Sequence, residues 1–417
     1  MGTVVRIRTA FVVAIAIAMT ALLALLSPVT QIVVKLTATG FFMDGTGQPL
    51  AIPYNTPSYI STYIDRSYTK YVGPSGLCTG GNSGVCDKIA VYTPEQLWPY
   101  TGLFDMSFDR SRALGVQYLD GCLRGAACTV TMPPSYNSTG SQSFVDSVYT
   151  VLGYSQSSSI SSLEKAALIA NAIASQVGFV MLANPNRPNG GVLSRFAGLS
   201  IIGITFNGAA PTNSDPLNPL TTVDIARQYD GIADFPNNPL NLFAVLNALL
   251  GTAFLHSKYN TAAETPQLQG VFQDTTYYMI PTETVPLVMP LKWIPIVGDL
   301  LATALDPFAR VLVEAGYDRT MNPGQPAVAN LFYFHPLRTI LNLIAAIPVA
   351  IENVMSYLAG WDYRPLGTVK PGPYGVGGPP VFVGNVDPYG PPTPALMAAP
   401  APTLFAAPLS GSADVTP

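Results

Sequence analysis

The sequence predicts an α/β fold, a mostly parallel sheet with helices on both faces. Three observations predict it. Strand-like and helix-like runs alternate from about residue 37 to Trp361. A small-residue turn, Gly153-Tyr154-Ser155-Gln156-Ser157, stands between a strand-like run and a helix-like one. A serine, an acidic loop and a histidine then follow along the alternation in the order Ser155, Asp230, His256.

The candidate strands are LTATGFFM, DSVYTVLGYS, SQVGFVMLAN and TTVDIARQY, and SLEKAALIANAIA is a helical pattern between them. Three regions bound the chain. Residues 1–34 carry Arg6 and Arg8 ahead of an uncharged run from Thr9 to Gln31, whose apolar core is FVVAIAIAMTALLALL. A positive flank before a run long enough to span a bilayer reads as an uncleaved signal anchor, with a cleaved signal as the alternative. The positive-inside rule places the remainder of the chain outside the cytoplasm. Residues 35–363 form the α/β domain. In 364–417 Pro, Gly and Ala take over, and that tail is expected to be disordered.

Charged residues are 11% of the chain and AVILMFWYC 48%, so a large core is assured, with an apolar excess left for a membrane segment or a lipid-facing patch. Net charge is −4 with no Lys/Arg block, which excludes a nucleic-acid partner. Two histidines, His256 and His335, exclude a multi-histidine metal site. No GxxxxGK is present and no GxGxxG opens a helix, and the reading calls for no cofactor. The four cysteines are expected to pair locally, Cys78 with Cys86 and Cys122 with Cys128, in an oxidising compartment.

The turn around Ser155 has the strand–turn–helix context of a nucleophile elbow, whose sharp backbone demands small neighbours. Gly153 and Ser157 meet that demand, although the second position is glycine in the usual motif. A serine hydroxyl needs a base to take its proton. His256, downstream of an acid-bearing loop, is the candidate, and His335, in LFYFHPL, reads as a packed core residue. The base needs an acid to fix its tautomer. Asp230 directly follows a strand and is the first choice, with Asp234 as the alternative. This chain order is that of the α/β-hydrolase fold. The oxyanion donors are expected to be the backbone of Gln156 and the turn Asp44-Gly45-Thr46-Gly47, with Thr46 supplying the second N–H.

With those residues in place the chain resembles the PE-PPE serine hydrolase domain, a relative of the cutinases, from about residue 37 to about Asn330. The resemblance rests on DGTGQP, GYSQSS, PNRPNGGVLSRF, QYDGIADFP, ALLG with HSKY after it, YYMIPTETVPLVMPL and DPFARVLVEAGYDR. It departs in beginning with an apolar run where PE or PPE helices would stand, an arrangement similar to the Chp-type membrane acyltransferases of trehalose lipids. The resemblance implies a catalytic Ser155, Asp230 and His256, and acyl-ester substrates.

Acyl transfer through an acyl-enzyme onto an envelope glycolipid is therefore the first expectation, with esterase or lipase activity as the alternative and an inactive lipid-binding protein as the third. The expected partners are an acyl-lipid or glycolipid and a membrane. In PNRPNGGVLSRF, Arg187 and Arg195 could pair with acids or shape an acceptor site. The stretches from Trp293 to Gly316 and from Leu337 to Gly360 read either as core helices or as a lid or acyl-chain groove, with a second membrane span less favoured because proline and charges interrupt both.

Overall fold

The computed structural model describes residues 38–79, 86–215, 217–218 and 220–377. The expected anchor, residues 1–34, and the tail beyond residue 377 lie outside them. The chain folds around a nine-stranded sheet in the order β10-β11-β9-β6-β5-β1-β2-β3-β4. Its strands are β1 (Ala38–Phe42), β2 (Cys86–Val91), β3 (Cys128–Thr131), β4 (Thr139–Gln142), β5 (Val148–Tyr154) and β6 (Gln176–Leu182). The short pair β7 (Ser200–Ile201) and β8 (Ile204–Thr205) stands apart, followed by β9 (Thr222–Arg227), β10 (Gln267–Phe272) and β11 (Thr275–Ile280).

The six strands from β11 to β2 run parallel, and antiparallel hairpin strands close both edges. The four strands expected from sequence are β1, β5, β6 and β9, the buried centre of this sheet. Their near-continuous apolar runs are what a doubly covered parallel strand requires. The hairpin strands are more polar, and the sequence pattern does not mark them.

Alternate residues of each central strand feed two cores. Phe42, Leu152, Val180 and Ile225 pack on one face with Ile60 and Ile64 of helix α1 (Pro57–Ser67). Phe41, Val151, Phe179 and Met181 pack on the other with Leu119 of α2 (Phe108–Leu123) and Ile160 and Leu168 of α3 (Gln156–Ala170). Helix starts follow capping rules: Thr56 with Pro57 behind it opens α1, and Ser107 opens α2. In α3 a serine-rich first half is buried, with Ser161 and Ser162 hydroxyls returning to the carbonyls of Ser157 and Ser158. Small side chains that satisfy themselves let this helix approach the sheet closely.

Disulfides join Cys78 to Cys86 and Cys122 to Cys128. The first ties β2 to the turn below α1, and the second ties the end of α2 to β3.

Three further helices, α4 (Leu242–Phe254), α5 (Gly298–Glu314) and α6 (Pro336–Ala359), lie beyond β9. The core reading does not fit α6, in which Ala346, Val349, Ala350 and Glu352 alone are buried. Leu337, Ile340, Leu341, Ile344, Ile347 and Ile351 stay exposed along it. By length and composition alone α6 could cross a membrane. The expectation of disorder from residue 364 fails for 364–377. Glu352 accepts hydrogen bonds from the Leu366 and Thr368 amides, and Pro373 O accepts from Gln228 Nε2 at 3.0 Å and Arg310 Nη1 at 2.6 Å. A segment too polar to build a core can dock its carbonyls on donors that the domain has already buried.

Between α2 and α3, burial, then the charge of Asp120, pushes the Glu164 carboxyl up to about 8. The folded state then holds this proton more tightly than the unfolded chain. Stability should therefore fall as pH rises from about 4.5 to about 8. Glu164→Gln should melt like the parent near pH 4.5 and increasingly above it toward pH ~8.5. Thermal melts across that range check this, and a constant difference would refute it.

Candidate active site

The chain leaves β1 toward β2 on one side of the sheet and leaves β5 toward β6 on the other, so β1 and β5 are neighbours at the point where strand order reverses. Loops that leave adjacent strands in opposite directions open a crevice at their carboxyl ends. The β1 loop brings Asp44-Gly45-Thr46-Gly47 there, and the β5 turn brings Ser155.

Ser155 is held at φ 56°, ψ −112°, outside the regions that L-residues favour. Several contacts hold it there. Its N–H donates to Leu182 O at 2.9 Å. A Cβ on Gly153 would lie 2.6 Å from Ser157 O and Ser161 Oγ, so only glycine fits. Ser157, in place of the second glycine, has its own function. Its Oγ accepts from Tyr154 N at 2.8 Å and donates to Tyr154 O at 3.1 Å, pinning the turn from inside.

His256 Nε2 lies 2.8 Å from Ser155 Oγ, and His256 Nδ1 lies 2.8 and 3.0 Å from the two oxygens of Asp230. Asp230 is fully buried, whereas Ser155 keeps 8% of its surface and the histidine side chain 17%. His256 follows α4 directly, at the start of a three-ten turn, His256–Thr261. Tyr154 stacks on the imidazole at 5.3 Å and donates its hydroxyl to His256 O at 2.5 Å. The residue inside the serine motif thus also fixes the histidine.

The backbone N–H groups of Gln156 and Thr46 donate to no protein acceptor among the described residues, while the Gln156 side-chain amide donates to Gln96 O and Ser111 Oγ. Thr46 Oγ1 donates to Gln156 Oε1 at 2.8 Å, which joins the two candidate oxyanion donors. The turn is set by Gly45 N donating to Asp44 Oδ1 and Gly47 N donating to Glu95 O, both at 2.7 Å. A Cβ on Gly45 would meet Ser155 Cβ at 3.1 Å, so the turn lies against the serine. Burial pushes the Asp44 carboxyl up to about 7, opposed by hydrogen bonds from Tyr59 and Gly45.

The other candidates fall elsewhere. Asp234 Oδ2 accepts from Tyr229 N at 2.8 Å, and its carboxylate pairs with buried Arg319. It holds the turn that delivers Asp230. Arg187 is fully buried and pairs with Asp224, and Arg195 binds the carbonyls of Phe235 and Ala327, so both brace the interior. His335 is exposed at the start of α6 against Tyr333, and is neither a core residue nor near the serine by any contact. A cavity of about 850 Å³ lies between α5, α6 and residues 370–376, and Ser155 and His256 do not line it. Tyr154, Tyr259, Asp44 and Asp234 are not readable from sequence as supports of the site. The one available signal is the three-residue spacing of His256 and Tyr259.

A serine elbow at the carboxyl edge of a parallel sheet, with a histidine and an acid delivered by later loops, is the α/β-hydrolase architecture. Within it the chain belongs to the PE-PPE domain family, whose profile matches residues 86–318. That span holds Ser155, Asp230 and His256 and leaves the Thr46 turn outside. Esterase PE16 of Mycobacterium tuberculosis is 35% identical over 72% of this chain and 55% of its own length. The uncharacterised PPE42 of the same species is 38% identical over 70% and 47%. Its SL1278 acyltransferase Chp1 is 27% identical over 57% and 54%. The chain spans about half the length of these relatives.

The two aspartates should part cleanly on substitution. Asp230→Asn should keep the parent melting point and lose rate by up to about 10⁴, since the histidine tautomer is then wrong. Asp234→Ala should take one of the two carboxylates from buried Arg319, leaving Glu314, and cost up to about 3–5 kcal/mol of stability. Denaturant melts beside turnover of a soluble acyl ester check both. A larger rate loss in a folded Asp234→Ala protein would exchange their roles.

Proposed function

We propose that this chain is a serine-dependent acyl-transfer enzyme for lipid esters, acting through an acyl-enzyme. One observation carries the reading: the unbroken Ser155–His256–Asp230 chain of contacts, 2.8 Å at each link, beside two unpartnered amides. In this reading His256 Nε2 takes the Ser155 proton as Oγ attacks the ester carbonyl. The amides of Gln156 and Thr46 receive the developing oxyanion. Asp230 steadies the imidazolium, which gives its proton to the departing alcohol. An acceptor hydroxyl then attacks the acyl-serine, with His256 again as base.

The acceptor we favour is a sugar hydroxyl of an envelope glycolipid, of the trehalose-lipid type. Relatives named SL1278 acyltransferase and diacyltrehalose acyltransferase support it. Hydrolysis is the second reading, supported by the relative named an esterase. We place the enzyme outside the cytoplasm, anchored through residues 1–34 and followed by the domain at 35–363. The two disulfides suit that compartment.

A fluorophosphonate probe should label the parent protein, and Ser155→Ala and His256→Ala should abolish labelling, while His335→Ala should label normally. With an acylated trehalose as donor and a second trehalose lipid as acceptor, transferred chain should exceed free fatty acid. Free acid alone would select the esterase reading, and retained labelling in a folded Ser155→Ala protein would end both.

A further inference from the structure

Tyr259 makes a contact with the triad acid that the reaction above leaves unused. It stands three residues after His256, across a kink at Lys258, and both side chains reach Asp230. Its hydroxyl accepts from Arg227 N at 2.7 Å and lies 2.8 Å from Asp230 Oδ2. With a backbone N–H on its lone pair, the hydroxyl directs its single proton to Asp230. Burial, then the charge of Asp230, pushes the phenol far above its usual range and keeps it a donor.

The tyrosine is itself anchored. Its carbonyl accepts from Tyr71 Oη at 2.5 Å and Lys70 Nζ at 3.0 Å. Both donors lie in a π-helical turn, Tyr68–Val72, that continues α1. An extra residue in a helical turn rotates side chains off the regular register, and such turns recur at functional sites.

We propose that Tyr259 is a positioning residue that orients Asp230 on His256 and tempers the basicity of the imidazole. The proposal rests on reading Ser155, His256 and Asp230 as a triad. Asp230 Oδ1 already takes Ile232 N at 3.0 Å together with His256 Nδ1, while Oδ2 takes Tyr259 and His256 Nδ1. Removing the phenol hydroxyl strips one donor from a buried carboxylate. The carboxylate becomes more basic and holds the imidazolium more tightly, so His256 titrates at higher pH.

The other ionisable groups around the pair cannot substitute. Tyr154 donates to His256 O, Tyr59 to Asp44, Tyr63 to Met43 O and Tyr71 to Tyr259 O. Arg227 pairs with Glu264, Lys70 binds carbonyls, and Lys258 is exposed.

The test is Tyr259→Phe, followed by NMR titration of ¹⁵N-labelled histidine. With two imidazoles in the chain, His335→Asn assigns them. The His256 midpoint should rise by about half to one pH unit, and the acid limb of kcat/KM should move with it. Plateau kcat should fall about tenfold with KM unchanged. Tyr71→Phe, which loosens the same turn without touching Asp230, should lower the melting point and leave the titration in place. In the parent protein the Tyr259 hydroxyl proton should exchange slowly and shift as His256 titrates, a readout that needs no variant to fold. An unmoved His256 midpoint in folded Tyr259→Phe, or a freely exchanging hydroxyl in the parent, overturns the proposal. A parent inert to fluorophosphonate with the midpoint still moved would instead sink the enzymatic reading alone.

Discussion

The backbone of Ser155, turned to φ 56° at the end of a central strand, is the constraint on which the surrounding structure depends. A non-glycine residue in such a conformation costs about 1–3 kcal/mol and persists only where its surroundings over-determine it. The surroundings here come from four directions. β6 supplies Leu182 O for the Ser155 amide, and Gly153 admits the first turn of α3. Ser158 Oγ is within 2.8 Å of both Gly153 O and Leu182 O, clasping the elbow to the neighbouring strand. Ser157 ties the turn to itself. A helix of bulkier residues could not come this close, which is why the serines gather in the first half of α3 and lie buried.

The acid side adds buried charge to close packing, since a Cβ on Gly251 of α4 would collide with Tyr229 O. Tyr229 has φ 70°, a left-handed residue immediately before Asp230. Its amide is caught by Asp234, Asp234 is paired with Arg319, and Arg319 also reaches Glu314 of α5. Buried pairs of this kind seldom add net stability, since desolvation offsets attraction, but unpairing one is costly. Their effect is to leave the loop a single arrangement. The segment 364–377 joins the same network, with Tyr374 against Arg319 and Pro373 on Arg310.

Legibility follows the range of the interactions. The central strands carry apolar runs that announce themselves locally, and the elbow is marked by small residues within five positions. Scarcity helps as well, since two histidines leave few choices of base. The choice between Asp230 and Asp234 is not local. It depends on Arg319, whose partner lies 85 residues away in sequence. The docking of Tyr374 and the exposure of α6 likewise depend on what stands opposite, which periodicity does not report. The edge hairpins escape a sequence reading because β4, TGSQ, carries no apolar residue and half of β10, QLQGVF, is glutamine or glycine. The aromatic neighbours of His335 suggest a core position, yet Phe332 and Phe334 are themselves exposed.

Two carboxyls, Asp44 and Glu95, flank the turn that offers Thr46 N–H, an awkward place for negative charge if an oxyanion is to form there. Burial resolves the conflict. Glu95 is fully buried, and desolvation, opposed by a hydrogen bond from Thr93 and aided by the charge of Asp44, holds its pKa well above the usual carboxylate range, which favours the neutral form. Asp44, pushed up to about 7, has its two oxygens engaged by Tyr59 Oη and Gly45 N. What remains is a pair of backbone amides linked through Thr46 and Gln156, whose fixed dipoles would meet an oxyanion without reorganisation in the proposed reaction. The same burial that raises both carboxyls strengthens those amides. Phe42 and Met43, both fully buried in the segment that leads into Asp44, pack into the two cores on opposite faces of the sheet and so fix where the turn begins.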